Sequence, residues 1–210
     1  MENKELTPQE SMTLIARMIE ASKQRVAMPD LRISVMWAVL SIVTAAVVLT
    51  VSMIRYTPWI NLVWFAIPVI GIPLNIMLSP KTGIQTGTKT FLDTVCAGIW
   101  KTVGFIAIFL TIICGIFQIT GYSQAWLAML YYAFIIVGFA AAMTGIVLRE
   151  NSYVVGGVFS IIAGFTVIAL QLCNIPLLVV WVIPLYMFCF LIMFIVPAFM
   201  IRRKFNDRKR

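Results

Sequence analysis

Residues 176–201 read PLLVVWVIPLYMFCFLIMFIVPAFMI, and the next three are Arg202, Arg203 and Lys204. The run carries no charge. At about 1.5 Å rise per helical residue it exceeds the roughly 20 apolar residues needed to cross a bilayer core. A segment of this kind in lipid must satisfy its own backbone, which a helix does. The basic triplet behind it is a stop-transfer flank. Working back along the chain, five more blocks of the same kind appear at 33–54, 59–79, 102–120, 125–148 and 153–173. Between positions 31 and 206 the only acids are Asp93 and Glu150, and the 210-residue chain has no histidine. It is 61% hydrophobic and 11% charged, against about 25% charged in soluble domains. The mean hydropathy is +0.99. A soluble fold of this composition would expose apolar patches too large to stay monodisperse. The expected fold is therefore all-α, a six-span membrane bundle.

The connections at 55–58, 121–124, 149–152 and 174–175 are short, which forces antiparallel neighbours and an up-down bundle. Only the loop at 80–101 has length. The chain divides into a cytoplasmic amphipathic helix and linker (1–31), a transmembrane domain (32–201) and a basic tail (202–210). Orientation follows from Lys and Arg. Of the 16 such residues, Arg55 alone falls on one side, so both termini are expected in the cytoplasm of a bacterial inner membrane. Tyr56, Trp59, Tyr122 and Trp126 fall near the outer ends of spans, and Trp37, Trp100 and Tyr153 near the inner ends. That is the two-belt pattern of rings at headgroup depth. The first 31 residues have no short apolar core ending in a small-residue cleavage site, so no cleavable signal peptide is expected.

Positions 6–26 read as an amphipathic helix. Thr7 is a suitable N-cap, Pro8 suits the first helical position, and Glu10 completes a capping box. Met12, Ile15 and Ile19 share one stripe, opposite Glu10, Arg17, Glu20 and Gln24. The opening run Leu6-Thr7-Pro8-Gln9-Glu10-Ser11, then Leu14-Ile15-Ala16-Arg17-Met18-Ile19, resembles uncharacterised bacterial multi-span membrane proteins that begin the same way. The resemblance implies the multi-span layout and brings no activity with it. Lying on the inner leaflet is one use of such a helix. Docking a cytoplasmic protein partner or a second copy through Met12, Ile15 and Ile19 is the other, and mixed charge with several methionines suits an adaptable protein surface.

Chemistry has little to work with. Without histidine, Ser–His hydrolysis and His-ligated zinc both fail. Cys96, Cys114, Cys173 and Cys189 show no ligand spacing. Asp93 and Glu150 sit in loops beside Lys89 and Arg149, as solvated interfacial charge does. No enzyme activity, cofactor or metal is expected. The basic charge flanks membrane segments, so nucleic acid is not expected as a partner; the lipid bilayer is. No span carries an acid at its centre, where ion-coupled transport usually places one. What remains is backbone. In span two, Pro68, Gly71 and Pro73 loosen the helix around Asn75. This reads either as a packing kink or as a discontinuity lining a transport path. In span five, Gly156, Ser160 and Gly164 lay small residues along one ridge, facing Gly138, Ala142 and Gly145 of span four. Two functions follow as expectations. The first is a non-enzymatic interaction or regulatory protein working through its N-terminal helix. The alternative is a small transporter or permease subunit for an uncharged or lipid-like substrate, which a water-filled cavity between spans two and six would favour.

Overall fold

Charge-free segments bounded by short turns can bury their polar backbone only as antiparallel helices, and six form. The computed structural model describes residues 9, 12, 13, 31–55, 57–78 and 91–208. Among them are six helices long and apolar enough to cross a membrane. They are α1 (Leu31–Ile54), α2 (Trp59–Leu78), α3 (Thr94–Ile119), α4 (Gln124–Leu148), α5 (Asn151–Leu172) and α6 (Val179–Lys204). No strand occurs among the described residues. The protein is an all-α bundle of multi-pass membrane type. Large side chains such as Phe109, Phe165 and Phe199 are more than half exposed, which suits a surface bathed in lipid.

Two boundaries differ from the sequence reading. The third helix starts at Phe91, well before position 102. Apolar-run reading stops at Lys101, yet the helix runs on. A lysine there can carry its charge to the interface along its own stem. At the other end, α6 begins at Val179, three residues after Pro176. Asn174 takes a left-handed φ of 57° and Leu178 is extended.

The packed body is α1, α4, α5 and α6. Between α4 and α5 the backbones touch across small residues. A Cβ placed on Gly157 would overlap the Gly138 carbonyl oxygen and lie 2.6 Å from the Ala142 nitrogen. A Cβ on Gly145 would lie 2.7 Å from the Val154 nitrogen. In lipid, where the hydrophobic drive between helices is weak, such close approach is what holds a pair. The ridge of α5 serves two neighbours. Gly164 lies under Phe134 and Ile135 of α4, whereas a Cβ on Gly156 would meet the Ile192 carbonyl oxygen of α6 at 2.7 Å.

Both of those neighbours are π-turns, Tyr132–Ile136 and Leu191–Ile195. There the backbone reaches back five residues, Val137 to Tyr132 and Val196 to Leu191. Such turns widen the ladder and frequently mark functional regions. Ser160 is fully buried, and its hydroxyl donates to the Phe134 carbonyl at 2.9 Å inside the widened turn.

Helices α2 and α3 are peripheral. Only 11% of the α2 window is buried, against 56% for α4. Helix α2 also changes type along its length. Pro58–Phe65 is a 3-10 helix and Ala66–Leu78 is α, running through Pro73. Pro68 explains the change, because it cannot donate to the Trp64 carbonyl and its ring crowds that group. The discontinuity expected around 68–75 thus falls just before Pro68, and 68–75 itself is α-helical.

Candidate functional site: an intramembrane cavity

Because α2 and α3 stand off the packed body, a cavity of about 1580 Å³ is left between them and α1, α4 and α6. Ordinary small-molecule sites measure roughly 300–1,000 Å³, so this one is large. Leu31 and Ser52 of α1 both line it. Their separation along a helix is about 30 Å, the thickness of the hydrocarbon core. The cavity therefore extends through the depth of the bundle. It is also open sideways: Val69 and Ile72 of α2, with Phe105 and Ile108 of α3, line it and are at the same time exposed.

The α6 wall is aromatic. Tyr186, Phe190 and Phe194 fall four residues apart and so stand on one face. Tyr186 and Phe190 stack with ring centres 4.5 Å apart, and Phe190 and Phe194 are 5.8 Å apart. Trp64 of α2 meets Tyr186 edge-on at 5.5 Å, and Trp100 of α3 meets Phe194 at 5.7 Å. All five line the cavity, forming a column that joins the peripheral helices to the body. Such offset and edge-on pairs add about 0.5–1.5 kcal/mol each beyond their buried area.

Several wall polar groups are already satisfied. The Tyr132 hydroxyl donates to the Val103 carbonyl at 2.7 Å, and the Trp100 indole donates to Thr144 Oγ1 at 3.1 Å. Thr111 and Thr144 return their hydroxyls to their own helices, at Ala107 and Ala140. Among the described lining residues Lys101 is the one charged side chain, at the end that holds the basic tail. The opposite end is lined by Ser52, Asn61, Gln124, Trp126 and Gln171. No group of three metal-capable side chains occurs among the described residues.

The residues singled out in the sequence fall in several places. Pro68 and Asn75 line the cavity. Gly71 is buried under the Trp37 ring, and Pro73 faces outward. Gly156, Ser160 and Gly164 lie behind the cavity in the α5 seam rather than on its wall. Met12 is exposed, and Ile15 and Ile19 lie outside the described residues. Sequence reasoning missed the aromatic column, although the four-residue spacing of Tyr186, Phe190 and Phe194 was there to find. Trp126, assigned to an interfacial belt, is 7% exposed and lines the cavity.

Comparison with known protein families, curated proteins and solved structures finds no match.

Proposed function

We propose that the protein takes up an uncharged, lipid-like molecule from the surrounding bilayer into its intramembrane cavity, as a small transporter or permease subunit does. The observation that carries this reading is the cavity itself: bilayer-deep, walled by aromatic and aliphatic side chains, and open sideways between α2 and α3. A lateral opening admits what already dissolves in lipid. A wall whose described residues include one charge, at its end, offers no compensation for an ion, which is expensive to hold at membrane depth. The cavity supports this reading over one built on the N-terminal helix.

The direct test is a long-chain diazirine alkane photolysed with the purified full-length protein. Label is expected on the wall side chains Trp64, Tyr186 and Phe190 as well as on outward-facing positions. Label confined to outward residues such as Phe109, Phe165 and Phe199 would overturn the reading.

The same proposal sets the protein in a bacterial inner membrane with its basic end, and so both termini, in the cytoplasm. Fifteen of its 16 Lys and Arg would then obey the positive-inside rule. A reporter active only outside the cell should be silent when fused after Arg210 and active when fused after Gly121. Activity after Arg210 would sink this orientation.

A further inference from the structure

The two ends of the cavity differ in what they leave unfinished, and this bears on the polar part of the ligand. At the basic end the lining indole of Trp100 and hydroxyl of Thr144 are paired, and the orphaned Ser152 hydroxyl lies off the lining. At the opposite end a lining indole and hydroxyl are not. Trp126 and Ser52 line the cavity, and their buried indole nitrogen and hydroxyl have no hydrogen-bond partner among the described residues. On α3, off the lining, Gln118 is 5% exposed and its carboxamide oxygen is also without a partner among the described residues. Orphan polar atoms are costly anywhere in a protein interior, and most of all in hydrocarbon where no water competes for them. Trp126 is also fixed in place. Its ring meets Phe65 edge-on at 5.7 Å, and the preceding Ala125 carbonyl accepts from the Cys114 thiol at 3.2 Å.

These atoms define a chemistry. An indole N–H only donates, a carboxamide oxygen only accepts, and a serine hydroxyl does both. A hydroxyl on the ligand, which both donates and accepts, can serve either of the two lining groups. An ionised carboxylate or phosphate would accept from Trp126 and Ser52 but has no proton to give back to the Ser52 oxygen. At this end it would also find no cation among the described lining residues, because Lys101 is at the far end and Arg55 is exposed and outside the lining. Asn61, Gln124 and Gln171 extend the same uncharged character around the mouth.

We infer that the ligand is an uncharged, hydroxyl-bearing bilayer lipid of the diacylglycerol class, held with its hydroxyl at the Trp126/Ser52 end and its chains along the aromatic column. This rests on the proposed uptake of a lipid-like molecule and adds its polar group and its orientation.

The test uses the full-length protein in nanodiscs with three photoactivatable probes: a diacylglycerol, the phosphatidic acid with the same chains, and the diazirine alkane. The diacylglycerol should label the wall more strongly than the phosphatidic acid. Trp126→Phe keeps the ring against Phe65 and removes only the donor. It should cut diacylglycerol labelling about fivefold, as losing one neutral hydrogen bond does, and leave alkane labelling unchanged. Ser52→Ala serves as an independent second variant with the same expectation, and alkane labelling of each variant reports that the cavity is intact. Equal or stronger labelling by phosphatidic acid overturns the inference, as does diacylglycerol labelling indifferent to both variants. In those cases alkane label on the wall leaves the uptake reading standing. Absence of alkane label from the parent wall removes the uptake reading, and this inference with it.

Discussion

Gly157→Ala should destabilise the bundle by about 1–3 kcal/mol, read as a lower melting temperature in mild detergent, while Gly98→Ala should be neutral or slightly stabilising. Both glycines are inside helices, so replacing either with alanine gains helix propensity, worth roughly 0.5–1 kcal/mol. What separates them is space. A methyl group on Gly157 would run into the Gly138 carbonyl oxygen and the Ala142 backbone of α4. Backbone atoms cannot swing aside as a side-chain tip can, so the helices must part, and dispersion contacts along the seam weaken together. A methyl on Gly98 meets nothing within 4 Å. If the two variants melt alike, the α4–α5 contact is not the close backbone seam described here.

That seam also shows where sequence reading reaches and where it stops. Helix number and the small-residue ridge follow from composition and spacing, because lipid forces every spanning segment to be helical and lets backbones approach only over small side chains. Which neighbour each ridge residue meets depends on rotation about the helix axis. Gly156 turns to α6 and Gly157 to α4, and no spacing rule separates two adjacent glycines. The π-turns at Tyr132–Ile136 and Leu191–Ile195 were not legible either, since a one-residue widening of the ladder leaves no residue signature. Proline in α2 was legible, but its consequence fell one turn early, in the 3-10 stretch ending at Phe65. The cavity was the least legible feature. It is defined by where α2 and α3 do not pack, and an apolar residue facing a cavity reads the same as one facing lipid.

Gly104→Phe should lower labelling of Tyr186 and Phe190 by the alkane probe on the order of tenfold without lowering the melting temperature. Gly104 sits on the α3 wall of the cavity, and a Cβ added there meets nothing within 4 Å. A phenyl group at that point projects into the space facing the aromatic column and brings no polar atom that would need a partner. A bound chain forced aside by it gives up contact equivalent to at least two methylenes, at about 0.8 kcal/mol each, which is roughly the tenfold loss expected. The fold should tolerate the change, because the new ring adds dispersion contacts in otherwise unfilled space and the helix loses a glycine. The matched control is Gly98→Phe. It places the same ring on the same helix at a site that is equally open but exposed and off the cavity wall. Obstruction of the cavity predicts a large effect at 104 and none at 98. A general effect of bulk on α3, or a probe that reaches the column only from the outer lipid surface, predicts that the two behave alike, and that outcome would remove the cavity as the site of binding.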